Sequence, residues 1–407
     1  MICCGLAASA VGICNNSVGV FFVPVSVDLG VGRGAFALHA TISNILAGLF
    51  CPISIKLIRK YNYKLMICIG ILMAGGANML MAFGNNVFMY YALGAMRGIG
   101  CSLFALPTIT SIIGNWFEEK HGFAMGFTLS FSGLSGAIFA PLFSSLIVSI
   151  GWRQTFFIMG IMTIVLALPG TLFLLKLNPS EKNLLPYGAK EPKKIAAVQE
   201  DNKVKKAKLN MAPLFIMIFF SFMTSSICGI AQNFPGYAQS IGSTATIGAT
   251  MVSASMIGNI VFKLLMGIMS DKFGPLNSSK ILGATNILSL ILLLILNPTQ
   301  SYIATLFTAF IYGAIYANGA VGIPLITRYI FGNENYASAY SVLFMFTSIG
   351  SATALTIIGV IYDIFKTYSI AIYGGIAFGI INILLLFIMN RFKKAEVKET
   401  EELQAGF

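Results

Sequence analysis

Twelve long apolar runs, separated by short polar stretches, constrain this chain more than any other feature. Their approximate bounds are Ile2–Val25, Ala35–Ile55, Leu65–Phe83, Val87–Ile113, Gly122–Val148 and Thr155–Leu175 in the first half. The second half holds Met211–Phe234, Thr244–Met269, Ile281–Leu296, Tyr302–Ile326, Ala337–Ile361 and Ser369–Met389. A helix of about 20 apolar residues crosses the hydrocarbon core of a bilayer, and most of these runs reach that length. Charged residues make up 10% of the 407 positions and hydrophobic ones 57%. A soluble domain carries about 25% charged residues, so the charges here are too few to cover a water-facing surface. The surplus apolar surface faces lipid, where a helix satisfies its own backbone. The expected fold is an all-α membrane protein of twelve transmembrane helices in two pseudo-symmetric six-helix halves.

The net charge of +12 reads as a topology signal. With both termini in the cytoplasm, that side receives Lys56, Arg59, Lys60, Lys64, Lys120, Lys272, Lys280 and Arg328 between runs. It also receives nine lysines of the central polar stretch and four basic residues of the tail, making 21 of the 26 bases. Arg33, Arg153 and Lys366 fall outside. That excess fixes the orientation. No basic stripe with interleaved aromatics is present, so no nucleic-acid partner is expected. The seven cysteines lie in or beside apolar runs without metal-ligand spacing, as small packing residues do. No cleavable leader is evident, because Met1 opens almost directly into a run too long for one and without a basic start. The expected setting is a multi-pass protein of the bacterial inner membrane, present as a monomer.

The expected domains are residues 1–175, a Lys-rich cytoplasmic linker over 176–210, residues 211–390 and a cytoplasmic tail over 391–407. The halves are weakly similar. AlaLeuProThrIleThr around Pro107 answers GlyIleProLeuIleThr around Pro324. GlyPheAlaMetGlyPhe from Gly122 answers TyrAlaSerAlaTyrSer from Tyr336, and LeuIleArgLysTyrAsn from Leu57 answers MetSerAspLysPheGly from Met269. The offsets are nearly constant, at 212–217 residues. A duplicated six-helix unit of this kind places substrate between its halves near mid-membrane.

The segment GlyIleMetSerAspLysPheGly from Gly267 resembles the G-x-x-x-D-[RK]-x-G loop signature of major facilitator transporters, with Gly267, Asp271, Lys272 and Gly274 in the matching places. The first-half copy has Arg59 where the acidic residue usually stands. A narrower resemblance is to the oxalate/formate antiporter family and the monocarboxylate transporters. It rests on the stretch from Gly19 to Phe36, on AsnTrpPheGluGluLysHisGlyPheAlaMetGlyPhe from Asn115, on ProLeuIleThrArgTyrIlePheGly from Pro324 followed by Tyr340, and on AsnIleValPheLys from Asn259. The resemblance implies alternating access, and implies that the cation eight residues before Asp271 binds a substrate carboxylate. Here that cation is Lys263, a point charge where the family has the bidentate fork of Arg. The resemblance also places a second cation of oxalate carriers at Thr347, and one charge fewer points to a monocarboxylate.

The residues alone point the same way. Among the bases only Arg97 and Lys263 remain inside apolar runs, and all 14 acidic residues fall in loops, ends or tails. A buried charge costs several kcal/mol unless it is paired. The natural partner of two cations without a carboxylate is an anion that comes and goes. Asn259 lies one helical turn from Lys263 on the same face. Lys263 either holds substrate or snorkels toward the nearby interface. Arg97 either contacts the anion or ties helices together. The resemblance implies Tyr316 and Tyr340 as candidate cavity aromatics, with ordinary packing as the bland reading. His39, within the second run, is the candidate for proton coupling or simply a hydrogen-bonded helix residue. The polar pair Asn15–Asn16 in the first run faces other helices or the cavity. No catalytic constellation, metal-ligand cluster or cofactor motif is present, so the expectation is a carrier of a small carboxylate rather than an enzyme. A carrier of another solute, or a sensor that kept a carrier fold, is the alternative.

Overall fold

The computed structural model describes residues 1–189, 210–243, 245–296 and 301–405, and these are almost entirely helical. Helix α1 spans Ile2–Asp28, α2 Arg33–Lys60, α3 Tyr63–Met81, α4 Val87–Trp116, α5 His121–Ile150 and α6 Trp152–Leu174. Helix α7 spans Met211–Ser240, α8 Ala245–Phe273 and α9 Pro275–Ile295. From Tyr302 the helical path runs without a loop to Phe365, but Gly332 breaks it with φ 69° and ψ 178°. That left-handed φ suits glycine alone, and it divides the path into α10 (302–331) and α11 (333–365). Helix α12, Ser369–Ala405, continues past its apolar part through the stretch expected to be a tail. The chain therefore has the twelve-helix, all-α membrane architecture that the apolar runs predict.

Polar residues stop and start the helices at the bundle ends. Asn62 caps α3 through the amides of Lys64 and Leu65, Asn86 caps α4 through Phe88, and Ser301 caps α10 through Ala304. Each cap of this kind is worth about 1 kcal/mol. Inside the bundle helices α1, α4, α6, α7 and α10 depart from regular geometry, α6 over Gly170–Leu174 and α7 over Gly229–Asn233. Helix α1 widens into a π-type turn over Ala8–Asn16, and α10 does so over Asn318–Gly322. Helix α4 breaks at Ala105, just before Leu106 and Pro107. Widened turns of this kind often accompany functional sites.

Small residues set the helix spacing, since lipid gives no hydrophobic drive between helices. Helix α2 lies against α4 so closely that a Cβ on Gly98 would fall 2.2 Å from the Ser43 carbonyl oxygen. Helix α5 meets α8 in the same way: a Cβ on Gly126 would lie 2.3 Å from the Lys263 carbonyl oxygen. One contact is within the first half. The other joins the two halves.

One end of the bundle carries the turns at residues 61–62, 117–120, 274 and 332, together with the segment 176–189; it is called here the linker end. The first part of the expected linker is docked against the bundle. Trp116 donates from Nε1 to the Lys176 carbonyl at 3.0 Å, and Tyr63 donates to Glu181 Oε2 at 2.7 Å. The Tyr187 amide donates to the Trp116 carbonyl at 2.8 Å. Residues 176–189 thus seal the ends of α3 and α4, and positions 190–209 of the expected linker lie outside the described residues. At the opposite end Arg153 pairs with Asp28 at 3.4 Å and donates to the carbonyls of Ala82 and Gly84.

Candidate functional site

Lys263 lies in the middle of α8 and is 4% exposed. Snorkelling is therefore not its arrangement: its ammonium turns inward and crosses to the other half. Nζ donates to Ser132 Oγ at 2.9 Å and to the Leu129 carbonyl at 3.3 Å, both on α5. Ser132 passes its own proton to that same carbonyl at 2.7 Å, so its hydroxyl receives from the lysine. An ammonium has three N–H donors, and two are engaged here. The close approach at Gly126 and at Gly133, where a Cβ would meet Ile260 and Asn259, lets α5 bring these acceptors near enough.

Helices α1, α7 and α10 complete the group. Asn16, exposed at mid-bundle, donates from Nδ2 to the Ser132 carbonyl at 3.0 Å. Asn259 is 4% exposed and its Oδ1 has no hydrogen-bond partner. Tyr316 donates to the Cys228 carbonyl at 3.3 Å, and the Cys228 thiol is near enough to feel the Lys263 charge. The result is one cation, one orphaned amide oxygen and several hydroxyls between helices of both halves. The ion pairs Arg153–Asp28 and Lys176–Glu181 lie outside this group.

Arg97 forms a separate group inside the first half. It is 1% exposed; Nε donates to Ser43 Oγ on α2 at 3.1 Å, while both terminal nitrogens are buried without a partner. Its neighbours include the thiols of Cys14 and Cys101. His39 sits one turn from Ser43 on α2, with Nδ1 at 2.5 Å from the Phe36 carbonyl and Nε2 buried and unpartnered. The rings of Phe36, Tyr90 and Phe22 surround it. Arg97 and Lys263 share no hydrogen-bond partner.

Tyr340 and Thr347 are not brought to Lys263 by any described contact. Tyr340 is 2% exposed and stacks on Tyr336 at 5.6 Å, within an apolar cluster that includes Cys51, Ile55 and Leu214. Thr347 spends its hydroxyl on the Leu343 carbonyl one turn earlier, at 2.9 Å.

The loop motif acts at the linker end. Asp271 accepts from the Gly122 amide at 2.7 Å and from the Phe123 amide at 2.9 Å, so its carboxylate caps the start of α5. A helix start favours negative charge. Gly267 packs against Gly122, where a Cβ would meet the carbonyl oxygen at 2.3 Å. Gly274, at φ 80°, turns the chain into α9, and Lys272 is exposed. Arg328 adds a second tie: NH2 donates to the Gly114 carbonyl at 2.8 Å, and NH1 lies 2.8 Å from His121 Nδ1. Lys263, Asp271 and Arg328 each carry hydrogen bonds between the halves.

Sequence reasoning missed Ser132, Ser43 and Arg328 as partners. Ser132 belongs to the stretch SerPheSerGlyLeuSerGly over 130–136, where small residues serve helix packing and no spacing marks one serine as special.

Comparisons with known proteins agree with this architecture. The sequence model of the Major Facilitator Superfamily matches residues 4–212 and 214–407. Monocarboxylate transporter 9 of Rattus norvegicus is 23% identical, covering 88% of this chain and 85% of that protein. The oxalate:formate antiporter of Oxalobacter formigenes is 26% identical, covering 78% and 73%. The solved structure of the proton:xylose symporter XylE, bound to 6-bromo-6-deoxy-D-glucose, superposes with a TM-score of 0.74 at 14% identity, covering 96% of this chain and 95% of that one. With twelve membrane helices, duplicated halves tied together at Lys263 and Asp271, and a family match over nearly its whole length, this chain belongs to the Major Facilitator Superfamily of membrane transporters.

Proposed function

We infer that the chain is a secondary carrier of a small organic anion, a monocarboxylate of the lactate, pyruvate or formate type, working by alternating access. One observation carries the reading: a buried ammonium, Lys263, bridges the two halves with only neutral partners among the described residues. An ion taken out of water is stabilised by a counter-charge, and a carboxylate arriving between the halves supplies one. Asn259, one turn away on α8, and Tyr316, bonded to the Cys228 carbonyl, are the groups proposed to fix orientation, and Arg97 offers a second positive charge from within the first half. Two relatives whose names refer to monocarboxylate and to oxalate and formate support the class of cargo. Thr347, neutral and committed to its own helix, favours one carboxylate over two.

The Lys-rich linker end is assigned to the cytoplasm, with both termini on that side, in a bacterial inner membrane, as a monomer. The ties of Asp271 and Arg328 then describe a carrier closed toward the cytoplasm. An inside-negative potential opposes anion entry by about 2.3 kcal/mol per charge per 100 mV, so uptake is coupled. Exchange for an internal anion is favoured, because no carboxylate lies within the apolar runs. Proton symport is the second reading, motivated by the buried, unpartnered Nε2 of His39. Counterflow in proteoliposomes with labelled lactate, pyruvate, formate, oxalate and xylose tests the proposal. Saturable uptake of one or more monocarboxylates, with oxalate and xylose weak, is the expected result. Uptake of xylose alone, or of oxalate in preference, overturns it; a His39→Gln chain that keeps exchange but loses pH-driven uptake selects symport.

A further inference from the structure

The two loop copies differ by a charge reversal, and a cavity stands where the carboxylate is missing. In the second half Asp271 caps α5 at Gly122 and Phe123. The internal repeat aligns Arg59 with Asp271, and Tyr336 and Ala337 with Gly122 and Phe123. Arg59, Tyr336 and Ala337 indeed meet, but around a pocket of about 130 Å³ instead of a capped helix. The pocket lies between the halves at the linker end. Arg328, Asn333 and Asn115 also line it, and no acidic residue does. Tyr336 is 5% exposed, and its hydroxyl has no hydrogen-bond partner; the hydroxyl of nearby Thr110 is turned to the Leu106 carbonyl. Arg328 is held in place by the Gly114 carbonyl and His121, and feels the Glu118 carboxylate from outside the lining.

We propose that this pocket binds a small soluble carboxylate, which takes the place that the Asp271 side chain holds in the other half. Arg59 and Arg328 supply the positive charge, and Tyr336 and Asn333 supply hydrogen bonds. The pocket has walls from both halves, so the bound anion ties them together at the linker end. A carrier with one built-in carboxylate tie and one borrowed tie closes on that side more firmly when the anion is present there. The inference does not depend on what the Lys263 site carries.

Thermal unfolding of the full chain in detergent tests it, with sodium acetate, formate and phosphate compared against chloride at matched ionic strength. The experiment is done in a Lys263→Gln background, which removes the central cation. Acetate and formate are expected to raise the melting temperature saturably in that background. Adding Arg59→Gln is expected to abolish the rise. Adding Arg59→Asp instead is expected to raise the baseline and remove the response, because the carboxylate is then covalent. Arg59 is exposed, so the Gln variant folds and decides the matter even where the Asp variant does not. The proposal is overturned by a carboxylate response that disappears with Lys263→Gln alone, by one that survives Arg59→Gln, or by a response to phosphate without acetate or formate.

Discussion

Lys263 and Arg97 are both buried cations with no carboxylate partner among the described residues, yet they are placed for different tasks. Lys263 reaches across the halves, from α8 to Ser132 and Leu129 on α5. Arg97 stays within one half, bound to Ser43 on α2 beside thiols of α1 and α4. A contact between halves is broken and remade when they rock, and one inside a half moves with it. The Lys263 charge is therefore the one whose surroundings change during transport, and the Arg97 charge is part of the moving body. The difference supports the proposal that Lys263, and not Arg97, is the principal substrate cation: burial is common to both, and only Lys263 draws its partners from the opposite half.

The sharpest way to break that comparison is Lys263→Met. Truncating one partner of a buried charge pair costs binding about 2–5 kcal/mol, so carboxylate transport should fall by at least about thirtyfold. Stability should hold or rise, because an ammonium with only neutral partners is removed from the interior. A variant that unfolds instead makes Lys263 a structural tie. Gly126→Ala comes next. Its Cβ would press on the Lys263 carbonyl oxygen, and overpacking of this kind costs about 1–3 kcal/mol. Melting temperature and transport should fall together, whereas Gly76→Ala, with open space at its Cβ, should change neither. Arg97→Gln should alter substrate affinity by no more than about threefold, ~0.6 kcal/mol, while slowing turnover; an affinity loss equal to that of Lys263→Met would merge the two groups into one site.

The smallest effect concerns the segment 176–189. Burial pushes the Glu181 carboxyl up, but hydrogen bonds from Tyr63, from the Asn178 and Leu177 amides and from Lys176 outweigh it and hold the group below its usual range. A carboxyl lowered by folding contributes stability above its unfolded value and loses it as pH falls through the folded one. The segment should stay docked at neutral pH and loosen below about pH 4, the ordinary carboxylate range. Limited proteolysis between Leu184 and Ala189 as a function of pH checks this, and Glu181→Gln should make cleavage pH-independent.

The helical architecture was legible because lipid leaves few alternatives: long apolar runs with polar breaks have one common solution. Lys263 was legible for a related reason, since a cation within such a run stands out against its surroundings. Its partners were not. Ser132 is one serine among several on α5, and only the crossing set by Gly126 and Gly133 brings it to α8. The aromatics were legible as candidates only. Tyr340 matches a family position, but three-dimensional packing places it against Tyr336 and Leu214, without a described contact to Lys263. The pocket beside Arg59 depends on two segments more than 250 residues apart, and a single sequence shows the charge reversal without showing the space it leaves.

The account's central claim is that Lys263 holds the carboxylate of the cargo. Equilibrium binding of labelled formate and lactate to the purified full chain, compared among wild type, Lys263→Arg and Lys263→Gln, tests it most directly. Saturable binding that survives in the Arg chain and is lost in the folded Gln chain is the predicted result. Binding to the Gln chain with wild-type affinity would contradict it.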